Sequence, residues 1–243
     1  MIVFEINQFT GVVTITGSGV QQWDMYFYKG IMLWAEGGTH GYRFWQRHLP
    51  IIRSQVSLRL IERERRVQTN TSDYYIILAL SKYKLLSREE IKSLAKLRIL
   101  NILFDIFQVS EQENLEFICK PQSSYQSLKN NFNLALNDWK FRDLLAKTYR
   151  NWLNWQKEGL NFYSPNLAPI LCLNTDLSRK ISQLSLRNMQ LMLNGKNTFR
   201  DVAVQMDREV VDVILALIPF LKRGYVQLLE VPDLAITNLS LCA

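Results

Sequence analysis

Apolar and polar positions alternate with a period of two near the start of the chain, and recur every three or four residues over most of the remainder. The alternation from Trp23 to Lys29 predicts a strand, and aromatic residues on both of its faces predict that it is covered on both sides. Gly30 favours a tight turn into a second strand, Ile31 to Ala35. The β-branched run from Val12 to Thr16 predicts a third strand. Together these segments predict a small antiparallel meander.

Helix signals follow the meander. Gly37 and Gly38 end the last strand, and Thr39 is a candidate N-cap for the next helix. Ser72 or Asp73 is the corresponding candidate for a helix that runs to Tyr83. A capping box at Ser87 and Glu90 opens the best-defined helix, whose apolar residues are three and four positions apart. They are Ile91, Leu94, Ala95, Ile99, Ile102, Leu103 and Phe107.

The second half of the chain continues this mixture of elements. The segment from Leu115 to Lys120 alternates and precedes a proline, which predicts a short edge strand able to pair with the meander. Apolar spacing from Ser127 to Glu158 predicts one or two amphipathic helices. The segment 161–174 contains two prolines and is the best candidate for a linker.

The C-terminal part has the pattern of a winged helix. A helix is predicted from about Leu177 to Leu193, and a second one capped by Thr198 with Asp201. A third helix follows Asp207 and precedes a strand, Tyr225 to Glu230. The predicted fold class is α+β: a small antiparallel meander, a large helical middle and a winged-helix-like C-terminal part. We expect residues 1–160 to form the meander and helical region, 175–234 the winged-helix-like part and 235–243 a tail or linker.

Charge is concentrated in one segment. The stretch 41–68 holds seven arginines and two glutamates, so that a net charge of +5 out of the chain's +7 lies there. Such a run is consistent with a solvated helical face or with a docking surface. The longest apolar run is too short to span a bilayer, and no signal peptide precedes it, so we expect a cytoplasmic protein without a membrane span.

Enzymatic signatures are missing from the sequence. It contains no P-loop, dinucleotide fingerprint or nucleophile elbow. Three scattered cysteines and two histidines offer neither a disulfide framework nor metal-ligand spacing. We therefore expect no catalytic residue, no cofactor and no metal. For His40 we expect a role in ordering the glycine turn, with a role as a base as the alternative.

DNA binding is the alternative function that a winged-helix outline suggests. The predicted third helix begins with Asp207, Arg208, Glu209 and Asp212, and its carboxylates would repel phosphate. Nucleic acid is therefore not the partner we expect, although the arginine-rich segment would give a transcriptional regulator some electrostatic support.

The segment from Gln22 to Arg47 resembles the PATAN domain, which is found at the N-terminus of PatA-type response regulators of cyanobacteria. The matching pattern is QWxxYFxxGxxxWAxGGxHxxRxWxR, and the segment 194–234 is also similar to this family. The matched positions are Gln22, Trp23, Tyr26, Phe27, Gly30, Trp34, Ala35, Gly37, Gly38, His40, Arg43, Trp45 and Arg47.

The resemblance implies a non-catalytic output module of a two-component system. Members of this family act in phototactic motility driven by type IV pili, in heterocyst patterning and in signalling from blue-light BLUF photoreceptors. The implied partner is a pilus extension ATPase or such a photoreceptor, with a receiver domain in the full-length regulator; an oligomer is possible. The chain ends about ten residues after Asp233, which leaves no room for a receiver, so we expect either a truncated regulator or a stand-alone protein.

The expected partner-binding residues follow the glycine turn. An exposed set of arginine and aromatic side chains is what binding hot spots favour. On this basis the hypothesis assigns partner binding to His40, Arg43, Trp45 and Arg47. The alternative is that Trp45 belongs to the core and that the glycines only shape a turn.

Overall fold

The computed structural model describes residues 9–17, 21–49, 63, 73–121, 140–172 and 182–234. The fold is mixed α+β, as predicted. Across these ranges it has seven helices, a four-stranded antiparallel sheet and a two-stranded sheet. The chain divides into two compact units, of which the first comprises residues 1–154 and 234–243 and the second residues 155–233.

The predicted meander is the centre of the first unit. Its strands are β1 (Gly11–Thr16), β2 (Gln22–Tyr28) and β3 (Ile31–Gly37), all antiparallel. The hairpin between β2 and β3 turns through Lys29 and Gly30, both with positive φ (47° and 75°), the backbone of the turn type that matches strand twist. The predicted edge strand is also present as β4 (Glu116–Pro121), which pairs with β1 and gives the order β3-β2-β1-β4.

Four helices begin in the first unit. They are α1 (Gly41–His48), α2 (Tyr74–Lys82), α3 (Arg88–Ser110) and α4 (Phe141–Lys157). One apolar cluster joins the sheet residues Val13, Ile15, Trp23, Met25 and Phe27 to α3 and α4. A second cluster joins Trp34 to α1, α2 and the first turns of α3. β2 and β3 thus contribute side chains to two separate apolar clusters.

Two predicted caps are used differently in the structure. Thr39 does not cap α1, which begins after His40 without a side-chain cap bond; the Thr39 hydroxyl instead accepts a hydrogen bond from Gln21 Nε2 at 3.1 Å. Asp73 occupies the N-cap position of α2 but makes no cap bond, because its carboxylate contacts side chains of other elements. The capping boxes at Ser87 and Thr198 are both formed.

The second unit contains three helices between two strands. The elements are β5 (Ala168–Leu171), α5 (Gln183–Met192), α6 (Phe199–Met206), α7 (Val210–Lys222) and β6 (Val226–Leu229). The three helices and the final strand were predicted. The core of this unit includes Phe199 and Ile214, which are fully buried.

The stretch 161–174 was wrongly predicted to be a linker. It contains β5, which is antiparallel to β6. Pro169 is tolerated in this strand because a two-stranded sheet consists only of edge strands, and the Pro169 carbonyl accepts a hydrogen bond from the Gly195 N–H at 3.0 Å.

Several other predictions lie outside the described residues: the helical stretch before 140, the helix start at 177–181, the tail 235–243 and most of the arginine-rich segment.

The start of α3 should make stability depend on pH. The Glu90 carboxylate accepts hydrogen bonds from the Ser87 hydroxyl at 2.6 Å and from the Ser87 N–H at 2.8 Å. These bonds lower the pKa of Glu90 below its usual value of 4.5. Because the folded-state pKa is the lower one, this stabilisation is complete above the unfolded-state pKa and is lost as pH falls through the folded-state pKa.

We therefore expect Glu90→Gln to be less stable than the wild type near neutral pH, with a difference that shrinks below about pH 4.5. Urea midpoints measured across an acidic pH series would test this. Glu89→Gln is the matched control, since Glu89 lies in the same turn but is not part of the capping box. A constant difference between wild type and Glu90→Gln across the series would contradict the expectation.

Candidate functional site

Three of the four residues expected to form an exposed binding site are buried. Trp45 is 1% exposed, His40 7% and Arg43 8%, whereas Arg47 is half-buried. The expectation that this set is exposed was therefore wrong for His40, Arg43 and Trp45, and Arg47 is only partly exposed. The alternative, that Trp45 belongs to the core, is confirmed.

Aromatic packing explains the burial of Trp45. Its ring stacks on Trp34 of β3, with centroids 6.3 Å apart and planes 12° from parallel. Phe44 meets Trp45 edge to face at 5.0 Å, and Tyr74 of α2 meets Trp34 edge to face at 5.2 Å. Such arrangements add to the stabilisation that comes from burying the ring areas. The aromatic residues of the motif therefore join β3 to α1 and α2.

A buried polar group lies beside these rings. Asp73 Oδ2 accepts a hydrogen bond from Trp45 Nε1 at 2.8 Å and forms an ion pair with the Arg98 guanidinium at 3.3 Å. The same guanidinium donates to the Gly37 carbonyl at 3.3 Å and lies over the Phe44 ring at 5.5 Å. The Asp73 and Arg98 side chains are only 10% and 5% exposed. This buried polar cluster links β3, α1, α2 and α3.

The two glycines of the motif are required by close contacts. A Cβ atom on Gly37 would lie 2.1 Å from the Gln22 carbonyl oxygen, and one on Gly38 would lie 2.7 Å from the Trp23 indole nitrogen. Both residues have positive φ, 94° and 75°. They allow the chain to leave β3 against β2 and enter α1. Gly37 and Gly38, together with Trp23, Trp34 and Trp45, thus have clear structural roles in this chain.

The face of the sheet that carries Trp34 also carries paired polar groups. Asp24 accepts hydrogen bonds from the Thr14 hydroxyl at 2.6 Å and from Gln22 Nε2 at 2.9 Å, and the Tyr26 hydroxyl donates to Glu36. Each of these contacts joins side chains within the sheet, so the carboxylates are already engaged by neighbouring donors.

The first unit also contains an open groove of about 640 Å³. Its lining residues are His48, Leu49, Leu86, Glu89, Glu90, Ser93 and Leu94. Glu90 belongs to the capping box of α3, which assigns its carboxylate a structural role. Among the residues that the structure describes, no group of three or more histidine, cysteine, aspartate or glutamate side chains could hold a metal ion.

One helix presents a surface suited to binding. Arg142, Tyr149, Arg150 and Leu153 are exposed on α4, and their spacing of seven, eight and eleven residues from Arg142 places them on one side. Tyr149 is 42% exposed and Leu153 43%, although both are large and apolar enough to be buried. We call these four residues the α4 face. The apolar spacing in the sequence predicted the buried stripe of this helix, whereas the opposite side, which the same periodicity defines, was missed.

In the second unit, the acidic start of α7 is exposed as the sequence suggested. Asp207, Glu209 and Asp212 are all solvent-accessible. Three carboxylates at one helix start generate a negative local potential, which is unfavourable for contact with phosphate.

Comparisons of the chain with models of protein families, with curated proteins and with solved structures found no match. Within the described part of the chain, no helix is both long and apolar enough to cross a membrane.

Removing one partner of the buried ion pair should be costly. Arg98→Met leaves the Asp73 carboxylate buried without its cation, and we expect a loss of about 3–5 kcal/mol in the free energy of unfolding. The double variant Arg98→Met/Asp73→Asn should lose less than the sum of the two single losses, because no uncompensated charge remains. Urea unfolding measures all three values.

Arg88→Met is the control, because Arg88 lies in the same helix but is exposed. Its effect should stay within about 1 kcal/mol of the wild type, as is usual for surface charges. An equally small effect for Arg98→Met would show that the buried pair does not hold the helices to the sheet.

Proposed function

We propose that this chain is a non-catalytic protein-interaction module of a two-component response regulator, acting in the cytoplasm to control phototactic motility by type IV pili. Its partner is a pilus extension ATPase or a blue-light photoreceptor. The pathway and the partners are taken from the resemblance to PATAN domains. The observation that supports an interaction role is the α4 face, where two arginines flank an exposed tyrosine and leucine.

The composition of the α4 face is that of a binding hot spot. Arginine and tyrosine are enriched among the residues that dominate binding energies. Burial of partly exposed apolar side chains under a partner also contributes favourable free energy to binding. Helix α4 carries Arg142, Lys147, Arg150 and Lys157 against Asp143 alone, a net charge of +3. A partner surface that combines acidic and apolar side chains would complement it.

Partner binding by the motif residues is hard to test by substituting those residues. Arg43 is 8% exposed, so a charge reversal there would place a carboxylate in the interior and would perturb folding as well as binding. The α4 face avoids this difficulty, because its side chains can be changed at the surface.

DNA binding is less well supported. The carboxylates Asp207, Glu209 and Asp212 are exposed at the start of α7, where a winged-helix protein would present cations and hydrogen-bond donors to the groove. Binding to random duplex DNA at two salt concentrations discriminates the two functions. A steep fall in the affinity for DNA with rising salt concentration would favour DNA binding over protein docking.

The direct test is binding of the full chain to a purified pilus extension ATPase and to a purified BLUF photoreceptor, both treated with nuclease. We expect Arg150→Glu/Leu153→Asp to weaken binding by about tenfold or more, because it reverses a charge and places another on an apolar contact. Biolayer interferometry gives the affinities, and circular dichroism confirms that the variant remains folded.

Lys222→Glu/Arg223→Glu is the control, since it changes exposed cations at the end of α7 and leaves α4 intact. Unchanged affinity of the α4 variant would exclude the α4 face as the docking site. Failure of the wild type to bind either protein would contradict the proposed partners.

A further inference from the structure

Strand β4 is an exposed outer strand of the sheet in the first unit. All six of its residues are solvent-exposed, and it pairs with β1 in a continuous register without a bulge. Within the described residues, β1 is the only strand beside it. Among the described residues, the other long edge of β4 has no paired strand and presents a regular, extended backbone.

The opposite edge of the same sheet is better protected. The pairing of β3 with β2 shifts register between Tyr26 and Phe27, and an isolated bridge joins Ile31 of β3 to Lys140. Bulges, prolines and lysines are the usual devices that prevent edge strands from associating. In β4 the only proline is the last residue, Pro121, and Lys120 is the only lysine. These protective residues lie at one end of β4, so Glu116 to Cys119 contain neither a proline nor a lysine.

The two faces of β4 carry different side chains. Phe117 and Cys119 lie opposite Ile15 and Val13, so they are on the same face as the apolar core. Phe117 is nevertheless 39% exposed, whereas Ile15 is 2% exposed. On the other face Ile118, 49% exposed, stands between Glu116 and Lys120. Apolar groups on both faces are left at the surface.

We propose that β4 pairs in antiparallel fashion with β4 of a second copy of this chain, about a twofold axis through Ile118. This register places Glu116 opposite Lys120 of the second copy, and the twofold axis repeats that ion pair on the other side of Ile118. On the core face, Phe117 lies opposite Cys119 of the second copy. The strand is therefore complementary to itself in charge.

Self-complementarity favours this occupant over other arrangements. A parallel pairing in register would place Glu116 on Glu116 and Lys120 on Lys120, so that every charged pair would repel. The antiparallel register instead joins two four-stranded sheets into one continuous sheet and brings Phe117, Ile118 and Cys119 beside apolar side chains of the second copy. Because a single pair of six-residue strands is a small interface, the dimer should be weak and dependent on concentration.

Sedimentation velocity across a dilution series tests the pairing with the full chain. We expect the mass to rise from 28.5 kDa toward twice that value with increasing concentration. Glu116→Lys alone, or Lys120→Glu alone, should weaken the dimer by about tenfold or more, because each creates two like-charge pairs. The double swap Glu116→Lys/Lys120→Glu should restore dimerisation, since the ion pairs re-form with reversed polarity.

A cross-link tests the register independently. Directly opposite residues of antiparallel strands have Cα atoms about 4.5–5.5 Å apart, within the range that a disulfide spans. We expect Ile118→Cys in a Cys119→Ser background to form a covalent dimer under mild oxidation, whereas Cys119→Ser alone should form none at this position. Non-reducing electrophoresis gives the cross-linked fraction.

A wild-type chain that stays monomeric at every concentration would overturn the proposal. So would a dimer that tolerates Glu116→Lys, or a double swap that fails to restore association while both single variants remain folded by circular dichroism. These outcomes are independent of binding at the α4 face, so failure of one proposal leaves the other intact.

Discussion

The buried contact of Asp73 with Arg98 and Trp45 is the interaction on which the first unit depends most directly. One carboxylate accepts a hydrogen bond from an indole and faces a guanidinium, and the guanidinium also reaches a carbonyl at the end of β3. Burial of two charges is unfavourable unless the geometry satisfies both. Because the contact joins residues of four elements, we expect it to favour one arrangement of α1, α2 and α3 against the sheet.

The aromatic and glycine positions of the motif act around this contact. Trp34 and Trp45 stack, and the space beside Trp23 admits only a glycine at position 38. Residues that are rare and regularly spaced in a sequence are easily interpreted as a binding motif. In this chain Trp23, Trp34, Gly37, Gly38 and Trp45 pack around the passage from β3 into α1.

The surfaces available for association lie on other elements. The α4 face offers arginine, tyrosine and leucine, and β4 offers an extended edge with a glutamate and a lysine placed symmetrically about Ile118. One helix and one strand therefore give the first unit two chemically different surfaces, the first suited to an acidic and apolar partner and the second to a copy of itself. The two proposals place docking and self-association on separate surfaces, so each association can be tested without disturbing the other.

The sequence by itself determined the elements whose causes are local. Alternation predicted the meander and β4, and the capping boxes at Ser87 and Thr198 could be identified because their partners are three residues apart. Only the tertiary structure decided that Arg43 and Trp45 are buried, that the Asp73 carboxylate leaves its cap to contact Arg98, and that Pro169 lies in a strand. The physical reason is that a side chain's exposure and partners depend on which distant groups reach it. The spacing of residues in the sequence carries no information about those groups.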